Sequence, residues 1–140
     1  MVEFHDGNQK YCCALEECYM ENVDLVFVMD ESKSVGERDF MTGLNAAADL
    51  ATSLNIGAKV NSSRVGFVLF GNNARLGFSL TQYNSVSEVE NAIKNLNYES
   101  GGTNIAGGMD FAIRQVFVPA ERKGVLKIMI LITDGEDSTN

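Results

Sequence analysis

The chain has 140 residues, of which 45% are apolar and 21% are charged, as is ordinary for one globular domain with a single core. Its 11 basic and 19 acidic residues give a net charge of -8, which argues against nucleic acid or an anionic membrane as the main partner. The longest apolar stretch, residues 128–132, is far shorter than the roughly 20 residues of a spanning helix, so we predict no membrane contact by this segment.

All three cysteines lie in residues 1–22, which we interpret as a tail or linker that precedes a folded domain at residues 23–140. Cys12, Cys13 and Cys18 are odd in number, so they cannot pair completely with one another. We therefore predict disulfides to segments outside this chain, and a protein that is secreted or forms the ectodomain of a membrane protein. Three reduced thiols on a cytosolic tail are the alternative.

A glycosylation acceptor pattern, Asn61-Ser62-Ser63, adds weak support for the extracellular interpretation and makes Asn61 the candidate site. The first residues lack the basic start and the apolar run of a signal peptide. For a secreted parent protein, we therefore expect the leader to lie outside this chain.

Hydrophobic periodicity predicts strands and helices in alternation. We expect strands at residues 24–30, 63–70, 74–80 and 125–133, the third of them returning antiparallel to the second. We expect a first helix over residues 36–56, ended by Gly57, and a second that opens with a capping box formed by Ser87 and Glu90. A third helix is marked by Ile105, Met109, Ala112 and Val116.

This alternation predicts an α/β fold, namely a Rossmann-like, doubly wound, mostly parallel sheet with one antiparallel edge strand, flanked by helices. Ligands of such sheets bind outside the carboxyl ends of the strands. The first and last strands are expected to be neighbours, so that Asp30 and Asp134 face each other across the crevice. The last strand would then expose a long apolar edge, and we expect further strands and helices after Asn140 in the parent protein.

Polar residues follow both of these strands. The segment 30–34, Asp-Glu-Ser-Lys-Ser, leaves the first strand, and the segment 133–135, Thr-Asp-Gly, leaves the last. The loop 100–104, Ser-Gly-Gly-Thr-Asn, lies between them in sequence. Together they predict a hard, oxygen-only site for Mg²⁺, with Mn²⁺ as a substitute. The candidate ligands are Asp30, Ser32, Ser34, Thr103 and Asp134.

Each part of this constellation also has a purely structural explanation. Ser34 is well placed to cap the helix that follows it. The sequences at 101–103 and 134–135 are common in loops and turns. Their joint placement at the ends of two neighbouring strands favours the metal site. We expect Glu31 and Lys33 to be solvated rather than to act as ligands.

At these motifs the chain resembles the von Willebrand factor type A domain, called the I-domain in integrins. The resemblance covers about residues 23–138 and implies a C-terminally truncated member of the family, with its first four strands present. Three motifs match in order: Asp-x-Ser-x-Ser at 30–34, Gly-Gly-Thr-Asn at 101–104, and Thr-Asp-Gly at 133–135. Lys33 departs from the family pattern, since small residues are frequent at that position.

The resemblance implies a metal-ion-dependent adhesion site. Ser32, Ser34 and, in an open state, Thr103 would be direct ligands, while Asp30 and Asp134 would act largely through water. The implied partner is a protein that supplies a Glu or Asp carboxylate, such as collagen, another matrix protein or a cell-surface protein. We therefore predict an extracellular adhesion or matrix module without enzyme activity.

Two other functions compete with this prediction. One is an intracellular adaptor of the same fold in a multiprotein assembly, which reduced cysteines and an unmodified Asn61 would favour. The other is a Mg²⁺-dependent phosphoryl-transfer hydrolase with Asp30 as nucleophile. It is disfavoured because Ser32 stands where a second acid is needed, and because no Gly-x-x-x-x-Gly-Lys loop is present.

Overall fold

The computed structural model describes residues 2–6, 9–13 and 22–135, which form six strands and three α-helices. The strands are β1 (Val2–Asp6), β2 (Gln9–Cys13), β3 (Val23–Asp30), β4 (Arg64–Phe70), β5 (Ala74–Phe78) and β6 (Leu126–Ile132). The helices are α1 (Gly36–Thr52), α2 (Val86–Lys94) and α3 (Ile105–Phe111), the last continued by a π-helical turn at Ala112–Phe117 and a 3₁₀ turn at Val118–Ala120.

The main sheet contains β3 to β6 in the order β5-β4-β3-β6. β3 pairs in parallel with β4 and β6, and β4 pairs antiparallel with β5. The predicted α/β class, the antiparallel edge strand and the pairing of the first and last strands of this sheet are therefore confirmed. Because β3 and β6 are parallel, with Met29 opposite Ile132, the segments that follow them emerge side by side.

β3 alternates its side chains between two apolar layers. Leu25, Phe27 and Met29 belong to a core with α1 and α2, whereas Val26 and Val28 belong to a core with the α3 region. All eight residues of the strand are buried, which accounts for its nearly continuous apolar sequence. Burial of each such side chain contributes about 1.5–3 kcal/mol. This double layer fixes the carboxyl end of β3, where the candidate site begins.

α3 approaches β4 closely at Gly108. A Cβ atom at this position would lie 2.7 Å from the ring of Phe70, so a side chain cannot be accommodated without a shift. Met109, one of the apolar residues that mark this helix in the sequence, is 38% exposed, while Gly108 is buried. A hydropathy pattern does not mark a glycine as the inward residue of a helix.

α2 begins earlier than its predicted capping box. Ser85 is the N-cap, with its Oγ accepting from the Glu88 N–H at 3.3 Å, while the Glu88 carboxylate accepts from the Asn84 N–H at 2.9 Å. The pairing of Ser87 with Glu90 was wrong. Two Ser-x-x-Glu patterns overlap here, and the helix starts at the first of them.

α1 ends at Thr52, short of the predicted boundary at residue 56, and Gly57 does not terminate it. Leu54 still packs against the core, and Ile56 forms a parallel bridge with Ser63. Apolar side chains therefore continue at helical spacing after the helix has ended. For this reason the predicted helix is longer than the observed one.

β6 has β3 as its one strand neighbour among residues 22–135, as predicted. Leu126 is 61% exposed and Leu131 is 37% exposed, so β6 is less covered than β3. The expected strands after Asn140 stay a prediction. In the part of the chain that the structure describes, no helix is both long enough and apolar enough to span a membrane.

β1 and β2 pair antiparallel within the segment predicted to be a tail or linker. Cys12 and Cys13 lie on β2, and Cys18 lies outside the described residues. Their disulfide bonding to other segments stays a prediction.

Candidate metal centre

Asp30 ends β3 and is only 1% exposed. Its Oδ1 accepts a hydrogen bond from the Ser32 N–H at 2.8 Å, and its Oδ2 accepts from the Thr133 Oγ1 at 2.7 Å. These two bonds fix the orientation of the carboxylate and join the segments that leave β3 and β6. Because both donors are neutral, they compensate the buried negative charge less completely than a cation would.

Ser32 and Ser34 bring their hydroxyl groups together, with the two Oγ atoms 3.0 Å apart. The N-cap of α1 is Val35, which makes no side-chain capping bond, so the explanation of Ser34 as a helix cap does not hold. Gly36 adopts a positive φ of 73°, which lets the chain turn from the Ser-x-Ser segment into the helix. The hydroxyl pair is therefore a feature of the loop itself.

Thr103 lies on the neighbouring loop and is 5% exposed. That loop is anchored on both sides of Thr103. The Lys33 N–H donates to the Gly101 O at 2.9 Å, and the Asn104 N–H donates to the Gly71 O at 2.9 Å. The Gly-Gly-Thr-Asn segment is thus bonded to the Ser-x-Ser segment, and the role of Thr103 as a ligand stays a prediction.

Asp134 lines a cavity of about 190 Å³ at the carboxyl edge of the sheet, together with Asp30 and Ser34. Asp39, from the first turn of α1, lines the same cavity and was not singled out by the sequence. Three carboxylates therefore line one cavity. Asp30 and Asp134 lie at this one cavity, and their role as metal ligands stays a prediction.

Glu31 was expected to be solvated, and this prediction was wrong. It is 3% exposed and accepts two hydrogen bonds from Arg75, from Nε at 2.9 Å and from Nη2 at 2.7 Å. This hydrogen bonding raises the pKa of the Arg75 guanidinium above its ordinary value. The sequence position of Arg75 could have indicated this ion pair. Because β5 runs antiparallel to β4, it starts at the edge of the sheet where β3 ends. Lys33 is exposed, as expected.

Tyr98 is a second residue that sequence reasoning missed. Its hydroxyl donates to the Ser32 O at 3.0 Å, and its ring packs against Phe40 with a centroid distance of 5.3 Å. The aromatic contact ties the hydroxyl to the core. Tyr98 thereby restrains the backbone of the Ser-x-Ser segment.

The described donor atoms fit a hard divalent cation. Octahedral Mg²⁺ holds its ligands at about 2.0–2.1 Å, so neighbouring ligand oxygens are about 2.8–3.0 Å apart. The Ser32 and Ser34 oxygens, which form a hydrogen bond with each other at 3.0 Å, lie close to that spacing. Within the described ranges, no cluster of three or more His, Cys, Asp or Glu residues has a metal-binding arrangement.

The candidate glycosylation residue lies away from this centre. Asn61 is exposed in the loop that precedes β4. Since β3 and β4 are parallel, this loop is at the amino edge of the sheet, opposite the edge that carries Asp30. The structure therefore separates Asn61 from the metal-site residues.

The fold and the arrangement of the side chains define a class, namely α/β domains with a mixed sheet whose carboxyl edge carries hydroxyl and carboxylate groups. Residues 24–140 match the family model of the von Willebrand factor type A domain. The chain belongs to this family, as the sequence motifs predicted.

Curated relatives of the chain are much longer than it is. Vitrin from Homo sapiens is 35% identical over 87% of this chain and 18% of its own length. Matrilin-2 from Mus musculus is 33% identical over 84% of this chain and 13% of its own length. The chain thus spans at most about a fifth of these relatives.

Among solved structures, the chain resembles proximal thread matrix protein 1 from the mussel byssus, whose metal-ion-dependent adhesion site is occupied by zinc in one structure. The TM-score is 0.76 and the sequence identity 27%, over 84% of this chain and 30% of the mussel protein. This similarity agrees with the Rossmann-like fold described above.

Proposed function

We propose that this chain is an extracellular adhesion or matrix module that binds a protein ligand through a Mg²⁺ ion, with Mn²⁺ as a substitute. Ser32, Ser34 and Thr103 would hold the ion directly, and Asp30 and Asp134 would act largely through water. The observation that carries the proposal is the pair of serine hydroxyls 3.0 Å apart, beside a buried carboxylate whose described partners are neutral. The zinc-occupied site of the related mussel protein supports it.

The chemistry of the donor set favours recognition over catalysis. When bound, the ion supplies an electrophilic coordination position that a Glu or Asp side chain of a partner can fill. Collagen, another matrix protein or a cell-surface protein would provide that side chain. Asp30 is poorly suited to act as the nucleophile of a phosphoryl-transfer enzyme, because it is 1% exposed and both its oxygens accept hydrogen bonds.

The proposal predicts binding to immobilised collagens or other matrix proteins in Mg²⁺ and its loss in chelator. Asp30→Ala and Asp134→Ala should each abolish the Mg²⁺-dependent part of the signal, because each removes a carboxylate from the cavity. Surface plasmon resonance with wild type and both variants measures this directly.

Glu121→Ala is the matched control for charge. Glu121 has a side chain that is 67% exposed and precedes β6, so it lies at the amino edge of the sheet, yet its loss changes the net charge by the same amount. We expect it to bind like wild type. Equal, Mg²⁺-dependent binding by wild type and both aspartate variants would refute the proposed metal role.

An extracellular location predicts modification of the chain. Asn61 is exposed and lies opposite the metal centre, so a glycan there would leave the ligand site open. Protein secreted from eukaryotic cells should lose mass on treatment with an N-glycosidase, and Asn61→Gln should abolish the change. Wild type whose mass does not change with the N-glycosidase, and whose Cys12, Cys13 and Cys18 are reduced, would instead favour the intracellular adaptor.

A further inference from the structure

The ion pair of Glu31 and Arg75 joins three segments around the candidate metal centre. Glu31 belongs to the segment between β3 and α1, and Arg75 is the second residue of β5. The Arg75 Nη2 also donates to the Asn97 O at 2.6 Å, in the segment between α2 and α3. One guanidinium thus connects the loop that carries the serine pair, the hairpin after β4, and the loop that carries Thr103.

The carboxylate of Glu31 is fully engaged at this junction. Its Oε1 accepts from the Arg75 Nε, and its Oε2 accepts from the Arg75 Nη2 and from the Glu99 N–H at 3.2 Å. The Glu31 N–H donates to the Phe70 O at 2.9 Å, at the end of β4. The Glu31 side chain is 4% exposed and that of Arg75 30%. Paired, charge-assisted bonds of this kind fix geometry as well as adding energy.

We infer that Glu31 and Arg75 form a clamp that holds the loops of the metal centre in register, and that Arg75 is a positioning residue for metal binding. The inference rests on the proposed function. Metal ligands must be placed within about 0.2 Å, whereas surface loops are mobile unless they are tied down. The clamp supplies the tie at Glu31, whose neighbours in sequence are Asp30 and Ser32.

Electrostatics alone makes the opposite prediction. Removal of the Arg75 charge leaves the carboxylate of Glu31, the neighbour of Asp30 in sequence, uncompensated, so the Coulomb attraction for Mg²⁺ would increase. Loss of a clamp would misplace the ligands, and affinity would decrease. The sign of the change in affinity therefore separates the two explanations.

Isothermal titration of Mg²⁺ into wild type and Arg75→Met tests the clamp. We expect Arg75→Met to bind about 10- to 100-fold more weakly, the usual effect of removing an outer partner of a metal site. Arg75→Lys, which keeps the charge but not the two-pronged geometry, should also bind more weakly than wild type. Unchanged or tighter binding by these variants would overturn the inference.

Arg122→Lys is the matched control. Arg122 pairs with Asp24, at the opposite end of β3, through side chains that are 12% and 1% exposed, and it also donates to backbone carbonyls. We expect this variant to keep wild-type Mg²⁺ affinity, with its fold checked by circular dichroism. A loss equal to that of Arg75→Lys would show a general effect of reduced stability and would refute the clamp.

Hydrogen exchange in chelator tests the clamp without metal. The Lys33 and Asn104 amides, which donate to the Gly101 and Gly71 carbonyls, should exchange faster in Arg75→Lys than in wild type and in Arg122→Lys. Unchanged exchange at these amides would overturn the inference. Wild type that binds no Mg²⁺ would instead refute the proposed function, so the two failures are distinguishable.

Discussion

Adding Mg²⁺ at about 100 times its dissociation constant is expected to raise the free energy of unfolding by about 2.7 kcal/mol, or the melting temperature by roughly 10 °C. The expected cause is binding to the folded state alone, since Ser32 and Ser34 are brought 3.0 Å apart by the fold. Asp30→Asn should abolish this response. Differential scanning calorimetry in chelator and across a Mg²⁺ titration measures both proteins.

Asp30→Asn is informative because it should leave the fold intact. The amide oxygen can accept from the Ser32 N–H as Oδ1 does, and the amide nitrogen can donate to the Thr133 hydroxyl. In chelator, its melting temperature should therefore be close to that of wild type. Glu121→Gln, with the same change of charge at the other edge, should retain the full Mg²⁺ response. A wild type that Mg²⁺ does not stabilise would contradict the metal proposal.

The sequence predicted the frame of the site because that frame depends on simple patterns. Apolar runs without alternation marked β3 and β6 as strands, and their parallel pairing brought residue 30 close to residues 133 and 134. The serine pair followed from its position directly after β3. These features need only strand order and the rule that ligands bind at the carboxyl edge.

The parts that sequence reasoning missed depend on distant partners. A glutamate after a strand is usually solvated, whereas the buried Glu31 accepts two hydrogen bonds from Arg75, 44 positions later, and a third from the Glu99 N–H. Tyr98 reaches the Ser32 carbonyl across 66 positions. Gly108 packs against the Phe70 ring, where there is no room for a Cβ atom. Periodicity carries no information on such contacts, which are decided by packing.

The second large effect concerns the opposite end of β3. Arg122→Met is expected to lower the free energy of unfolding by about 3–5 kcal/mol, because it leaves a buried carboxylate without its cation. Asp24 is 0% exposed, and both its oxygens accept from the Arg122 guanidinium. Arg122 also donates to the Ser62 O at 2.9 Å and to the Val60 O at 3.2 Å, so the variant removes bonds that hold the loop before β4.

Equilibrium unfolding in urea, followed by circular dichroism in chelator, measures this change. Arg114→Met is the control, since Arg114 and Asp110 form an exposed helical pair and the loss should cost only about 0.3–0.5 kcal/mol. The double variant Asp24→Asn with Arg122→Met should recover part of the loss, because it no longer buries an unpaired charge. A free energy of unfolding for Arg122→Met within about 1 kcal/mol of the wild-type value would contradict this prediction. The Asp24–Arg122 pair would then contribute no more than a solvent-exposed ion pair.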